Sequence, residues 1–413
     1  MRILFTTWAA PSHLYPMVPL AWAFQAAGHQ VRVAAPPNCE QAITRAGLAA
    51  VPVGPVLDVT KSSTGGKLAA WHSQGSWPDD WPLRAAELEP DRRGILRALG
   101  EKQVRIAGAM TADLLAHARD WRPDLVVHDA GTYAGAIVAA LLDVPAFSQM
   151  WGSSAVLQLE RTDLDGELLP GYRELFERFG ADPERRPEAW LDSCPPGLTL
   201  PSPVPRLPVR FVPYNGPGAQ PDWLRGAPER PRVCLTLGVT ADKLRPGAAL
   251  PAPVLIAAER LVARGAEVVL AVTAAQHELL GPLPDGVRAV GGLPLSLLLP
   301  TCRAIAHQGG GGTTMTATLA GRPQLVIAPR PEQMLAGARL AAAGAGRRLA
   351  VNELADGPEG GELLADEVSA LLDEPGYAAA AERLRAEMLA MPTPAELVPV
   401  LLAAARRGVP AAV

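Results

Sequence analysis

Short apolar runs separated by helical stretches recur from the first residues onward, and this rhythm limits the fold more than any other feature. RILFTT at residues 2–7 reads as a buried strand, VPLAWAFQAAG as a helix, HQVRVAAP as a second strand, CEQAITRAG as a helix ending at Gly47, and LAAVPVG as a third strand. The strand–helix–strand unit repeats at roughly 25 to 30 residues, a spacing that needs crossover connections and therefore parallel strands. Asp58 to Pro82 interrupts it with Gly65-Gly66, several prolines and Trp71, Trp77 and Trp81. A loop of that length is more often functional than idle. The rhythm resumes with a helical stretch from Leu88 to Arg119, the strand PDLVVHDAG, the helix GAIVAALLDVP and the strand AFSQMWG. Residues 160–200 are charged and Pro-rich and read as a small helical excursion with a loop.

A second unit of the same kind follows a polar Pro/Gly-rich segment, NGPGAQPDWLRGAPER, which has the composition of a linker. PRVCLTLGVT, AEVVLAVT, VRAVGGLP, RAIAHQ and RPQLVIAP supply strands, with helical segments between them. EQMLAGARLAAAGAGRRL reads as a helix with a Gly stop, and TPAELVPVLLAAARR as a closing helix capped by Thr393 with Glu396 three residues on. The expected class is α/β, two Rossmann-like parallel-sheet domains facing across a cleft. The expected divisions are 1–215, a linker at 216–231, 232–385, and a C-terminal helix at 386–413 that crosses back to the first domain. At 413 residues the chain exceeds what one core usually holds, and 48% hydrophobic against 19% charged residues excludes a disordered chain. A net charge of −4 gives no basic surface for nucleic acid. Cys39, Cys194, Cys234 and Cys302 form no close pair, which argues against a zinc site or a disulfide framework and suits a reducing cytoplasm. No leader-like segment opens the chain and no run reaches about 18 apolar residues, so no membrane span is expected.

The chemical signals are concentrated at strand ends. His307-Gln308-Gly309-Gly310-Gly311-Gly312-Thr313-Thr314 places four glycines between an apolar strand and an apolar helix. Such a turn exposes backbone N–H groups at a helix N-terminus and suits a phosphate, although a merely tight turn has the same composition. It lacks the Lys-Ser/Thr ending of a P-loop, and the first strand lacks the GxGxxG of a dinucleotide fold. His13 follows the first strand, where a group that can accept a proton at neutral pH is well placed for chemistry, and where a packed histidine is the plain alternative. Asp129 ends another strand on the same sheet edge and can orient that imidazole, while alternation sends His128 to the other face. Glu332-Gln333 follows the LVIAP strand and could grip sugar hydroxyls or simply start a helix. The loop tryptophans could wall an acceptor pocket or serve as packing. The seven histidines show no metal-ligand spacing and no HExxH.

Taken together, these segments resemble the two-domain inverting glycosyltransferases of natural-product biosynthesis, with the GT-B fold. The resemblance is closest to the bacterial branch that moves deoxysugars from dTDP onto macrolides and other polyketides. It runs through RILFTTWAAPSHLYPMVPLAWAFQAAGHQVRVAAPP, RFVPYNGPGAQPDWL, PRVCLTLGVT, LLLPTC, the region of HQGGGG and PGYAAAAERLRAEMLAMPTPAELVP. It is weakest at residues 57–100 and 155–205, the expected acceptor side. It implies His13 as general base and Asp129 as its orienting carboxylate. It implies Gly310, Gly311, Gly312, Thr313 and Thr314 as the diphosphate turn, Thr240 near the phosphates, and Gly292 and Leu293 beside the nucleobase. The family motif usually carries a histidine directly before the glycines, where this chain has Gln308, with His307 one residue earlier. Glu332-Gln333 stands where the family has an Asp-Gln pair for sugar hydroxyls.

The implied reaction uses a nucleotide sugar, expected to be a dTDP-deoxysugar, and a small-molecule aglycone. No resident cofactor is implied and no Mg²⁺-binding acidic motif is visible. The resemblance leaves room for a homodimer and for an auxiliary protein that looks like an inactive cytochrome P450. Three rival readings remain at this level. One is a non-catalytic helper or ligand-binding protein on the same scaffold, for which Gln308 is the best support. The others are a nucleotide-sugar epimerase and a nicotinamide oxidoreductase, the last lacking its glycine fingerprint.

Overall fold

Ile3, Leu4, Phe5 and Thr6 are wholly inaccessible to solvent, so the first strand is covered on both faces, as strands of a parallel sheet are. A computed structural model describes residues 1–58, 68–71, 77–150, 167–202, 204–237 and 250–407. The N-terminal sheet contains β1 (Arg2–Thr6), β2 (Gln30–Ala35), β3 (Ala49–Pro52), β4 (Leu125–Asp129), β5 (Ala146–Gln149), β6 (Ala189–Asp192) and β7 (Arg206–Pro208). All pairings are parallel, in the order β3-β2-β1-β4-β5-β6-β7. Ile3, Phe5, Leu125 and Val127 pack on one face against helix Val18–Ala26 and the closing helix. Leu4 and Val126 point to the other face, beneath helices Pro90–Trp121, Tyr133–Leu142 and Pro170–Phe179.

The second sheet contains β8 (Arg232–Thr236), β9 (Glu267–Val272), β10 (Val287–Gly291), β11 (Ala304–His307), β12 (Gln324–Ala328) and β13 (Gly346–Ala350). These too are parallel, in the order β10-β9-β8-β11-β12-β13. Helices Ala252–Ala263 and Pro358–Asp373 cover one face. Helices Gly311–Leu319, Pro331–Ala342 and Pro375–Ala390 lie on the other.

Three strands differ from the sequence reading. β6 and β7 fall within and just after the segment read as a loop, and β13 falls where a helix stop was expected. β7 is three residues long, ends at Pro208 and forms a sheet edge, so it carries little periodic signal. β13 holds Arg347 and Arg348, whose charge masks a strand pattern; Arg347 is instead held by Glu367 and by Tyr377. The closing helix Pro394–Arg407 begins with a reciprocal cap, in which the Glu396 amide donates to Thr393 Oγ1 at 3.2 Å and the Thr393 amide to Glu396 Oε2 at 2.7 Å. Leu397, Val398 and Leu401 of that helix join the core of the first sheet. The preceding turn is pinned by Arg210, whose Nε donates to the Met391 carbonyl at 3.1 Å. Among the described residues no single helix is long and apolar enough to cross a membrane.

Gly135 lets helix Tyr133–Leu142 approach the strands at the middle of the first sheet. A Cβ there would lie 2.3 Å from Thr6 Oγ1 and 2.6 Å from His128 Cβ. Ala is the better helix former, but the overlap forces the helix off β1 and β4. Gly135→Ala should therefore lower stability by about 1–3 kcal/mol in urea unfolding followed by tryptophan fluorescence. An unchanged or higher midpoint would contradict this packing.

Candidate functional site

Strand order reverses between β1 and β4 in the first sheet, and the segments leaving their carboxyl ends open a crevice there. The chain leaving β1 turns immediately into the short helix Pro11–Leu14, with Pro11 at its first position and Leu14 buried in the core. His13 lies on this helix and Asp129 is the last residue of β4. Their side chains meet with Nδ1 to Oδ2 at 2.7 Å, and both are buried. Asp129 Oδ1 accepts from the Gly131 amide at 2.8 Å and from Thr132 Oγ1 at 3.2 Å. A carboxylate in that setting only accepts, so Nδ1 carries the imidazole hydrogen and Nε2 the basic lone pair. Trp8 packs edge-on to the His13 ring at 5.1 Å and limits its rotation. His128 falls on the opposite face, beneath Gly135.

The second sheet reverses order between β8 and β11, and the glycine-rich turn leaves β11 at that point. Gly309 has φ +81°, and a Cβ would meet Val326 Cγ1 at 2.8 Å and Gln333 Cβ at 3.0 Å, so only glycine fits. Gly310 is the N-cap and Gly311 and Gly312 form the first turn of helix Gly311–Leu319, both exposed. Backbone N–H groups at a helix start point outward without intrahelical partners and favour an anion.

His307, one of the two residues expected beside the donor phosphates together with Gln308, is fully buried behind the turn. The Gly309 amide donates to its Nδ1 at 3.0 Å, so Nε2 holds the hydrogen and donates to Gln324 Oε1 at 2.9 Å. Gln324 Nε2 in turn donates to Thr318 Oγ1 at 3.0 Å. This chain of bonds ties the turn, β12 and the helix together. Burial pushes the His307 pKa down to about 4, against a partly opposing hydrogen bond to Gln324, so the ring stays neutral.

A cleft between the two sheets is lined by Pro16, three residues beyond His13, and by Gly309, Gly310, Gly311, Gly312, Thr314, Glu332 and Gln333. Gln333 Oε1 is buried there without a hydrogen-bond partner. Thr313 and Gln308 do not line it; the Gln308 amide nitrogen lies where a Cβ on Gly310 would be 2.8 Å away. Gly292 and Leu293 follow the edge strand β10, also outside this cleft. Thr240 lies outside the described residues. Asp192, Cys194, Arg206 and Arg339 line the cleft and escaped the sequence reading, because Asp192 and Arg206 sit on the two short strands that reading missed.

The tryptophans form no aromatic wall over the cleft. Trp71, Trp77 and Trp81 are 3%, 3% and 1% exposed and pack edge-to-face on one another at 5.0 to 6.2 Å. Burying three indoles against Leu335 of the second domain outweighs presenting them to a ligand. Trp81 Nε1 also donates to the Pro331 carbonyl at 3.4 Å, and Asp79 pairs with both Arg348 nitrogens, one at 2.9 Å.

Two parallel-sheet domains joined across such a cleft, with a buried His–Asp pair at one switch point and a glycine turn at the other, define a GT-B glycosyltransferase. The erythromycin biosynthesis protein CIII-like N-terminal domain matches residues 22–238, and the corresponding C-terminal domain matches residues 256–404. The chain belongs to this family. It is 38% identical to aklavinone 7-beta-L-rhodosaminyltransferase of Streptomyces galilaeus, over 97% of this chain and 95% of that protein. It is 39% identical to tylactone mycaminosyltransferase of Streptomyces fradiae, over 97% and 92%. Among solved structures, glycosyltransferase VinC in complex with dTDP superposes with TM-score 0.80 at 36% identity, covering 99% of this chain and 100% of that one. Spinosyn rhamnosyltransferase SpnG complexed with spinosyn aglycone gives 0.78 at 31%, covering 97% and 100%. Among the described residues no group of three or more His, Cys, Asp or Glu side chains is placed to hold a metal ion.

The buried neutral His307 makes stability depend on pH. Its folded pKa lies below the unfolded value, so the unfolded chain takes up the proton first as pH falls. The stabilisation from keeping the ring neutral is complete above about pH 6.5 and is lost progressively down to about pH 4, in total about 3 kcal/mol. The urea stability gap between the unaltered protein and His307→Asn should narrow across that window. A gap independent of pH would show that His307 is not held neutral.

Proposed function

We propose that this chain transfers a deoxysugar from dTDP to a hydroxyl of a polyketide-type aglycone, with inversion at the anomeric carbon and His13 as general base. The observation that carries the assignment of the base is the 2.7 Å contact between His13 Nδ1 and Asp129 Oδ2 at the switch point of the first sheet. With the hydrogen held on Nδ1, Nε2 takes the proton of the acceptor hydroxyl. The acceptor oxygen forms its bond to the anomeric carbon as the bond from that carbon to the β-phosphate oxygen breaks, and dTDP leaves with the electron pair. Asp129 keeps the ring in the required tautomer and stabilises the imidazolium as it forms.

The departing diphosphate gains charge, and the outward N–H groups of the Gly310–Gly312 turn offer fixed donors to it. In this reading Gln308 faces the β-phosphate, Thr313 and Thr314 add hydroxyls to the diphosphate turn, Glu332 and Gln333 hold sugar hydroxyls, Gly292 and Leu293 flank the nucleobase, and Thr240 stands near the phosphates. Residues 1–215 take the acceptor and 232–385 the donor, with 216–231 between them and 386–413 returning to the first domain. Cys39, Cys194, Cys234 and Cys302 form no disulfide, which suits a cytoplasmic setting. A homodimer and an auxiliary protein of the inactive-cytochrome kind rest on family resemblance alone.

The test is transfer measured by mass spectrometry with a dTDP-deoxysugar and candidate polyketide aglycones, beside dTDP binding by calorimetry. His13→Ala should lower kcat by at least about 10²-fold and leave dTDP affinity within twofold, because its role begins only when the acceptor proton moves. Asp129→Asn should keep dTDP affinity and lower kcat by a smaller factor. Surviving turnover with weakened dTDP binding in His13→Ala would refute the assignment.

A further inference from the structure

Helix Pro90–Trp121 packs on the first sheet through Ile106, Met110 and Leu114. One turn earlier, two consecutive residues, Lys102 and Gln103, back the His13–Asp129 pair. Lys102 Nζ lies 5.3 Å from the centre of the Trp8 ring, and Trp8 meets the His13 ring edge-on at 5.1 Å with the planes 81° apart. Gln103 is 1% exposed, and its side-chain nitrogen lies 3.1 Å from where a Cβ on Gly131 would stand. The Gly131 amide in turn donates to Asp129 Oδ1 at 2.8 Å.

A single hydrogen bond to Asp129 fixes Nδ1 but lets the imidazole swing about that bond, and the direction of Nε2 with it. Trp8 is the aromatic wall that limits this swing. It is 3% exposed and its Nε1 is buried without a hydrogen-bond partner, so packing and the Lys102 cation, not a hydrogen bond, hold the indole. An ammonium is drawn to an indole face more strongly when it is partly withdrawn from water, and Lys102 is half-buried.

We propose that Lys102 and Trp8 are positioning residues for the base: Lys102 steadies the indole, and the indole keeps His13 Nε2 on the acceptor hydroxyl. The inference rests on the assignment of His13 as general base. Neither side chain touches a reacting atom in this arrangement. Reactive geometry tolerates little displacement, and a shift of about 1 Å can cost on the order of 10²-fold in rate. The same helix carries Ile95, Leu96 and Leu99 into the tryptophan cluster that meets Leu335, so the element that backs the base is also seated on the second domain.

Transfer kinetics should be read by mass spectrometry with a dTDP-deoxysugar and an accepted aglycone, and dTDP-binding sites counted by calorimetry, on the full chain. Lys102→Met should lower kcat by about 3–10-fold, while both KM values stay within about twofold and the number of dTDP sites is unchanged. Lys102→Arg should recover most of that loss, because a guanidinium also stacks on an indole face. Trp8→Leu should lower kcat by on the order of tenfold. Trp8→Phe should recover most of this, since the indole N–H has no partner to lose. Lys102→Met added to Trp8→Leu should cost nothing further, because Lys102 acts through the indole. If Trp8→Leu does not fold, the two Lys102 variants decide the matter. A kcat unmoved by Lys102→Met, a loss taken up in KM, or Lys102→Arg no better than Lys102→Met would overturn the inference and leave the base assignment standing. So would an undiminished Lys102→Met loss on top of Trp8→Leu. Turnover that survives His13→Ala would overturn the base assignment and this inference with it.

Discussion

Where the strand order of a parallel sheet reverses, the segments leaving two neighbouring strands turn to opposite faces and leave a crevice between them. The chain uses this geometry twice, once between β1 and β4 and once between β8 and β11. The first crevice receives His13 and Asp129, and the second receives the turn from Gly309 to Gly312. Neither arrangement depends on a long recognition loop. The functional groups leave strands that are buried on both faces, so their positions inherit the rigidity of the sheets.

Burial of polar groups is what sharpens each site. An imidazole or carboxylate removed from water is costly unless its hydrogen bonds are replaced, so a buried group tolerates few orientations. Asp129 meets this demand with His13, Gly131 and Thr132. His307 meets it with Gly309 and Gln324, at the expense of its own ability to take a proton. The two histidines thus divide the work of the molecule. One is oriented by a carboxylate at the sheet edge, and the other is kept neutral to hold a backbone turn in shape.

The halves are joined by more than their linker. Asn215 accepts from the Ser296 amide at 3.0 Å and donates to Thr316 Oγ1 at 3.2 Å, fastening the end of the first half to the second. The closing helix returns to the first sheet, and the tryptophan cluster reaches across to Leu335 and Pro331. Pro331 and Leu335 flank Glu332 and Gln333 on one helix, so the aromatic cluster buttresses the residues proposed to hold the sugar.

Much of this is local in origin. The repeated strand–helix spacing, the four glycines after β11 and the Thr393–Glu396 cap are short-range patterns, and each specifies its element without help from distant residues. The pairing of His13 with Asp129 was also legible, because parallel strands place their exits on one edge and alternation assigns Asp129 and His128 to opposite faces. The rest required tertiary structure. Alternation separates His307 from Gln308 but does not say that His307 finds Gln324, a partner brought in by β12. Nor does a loop rich in tryptophan say whether its indoles face a ligand or one another. That choice is settled by the apolar surface of a helix some 250 residues away, which covers Trp81. The strands β6 and β7, and with them Asp192 and Arg206, exist because a growing sheet offers them hydrogen bonds, not because so few residues could form strands alone.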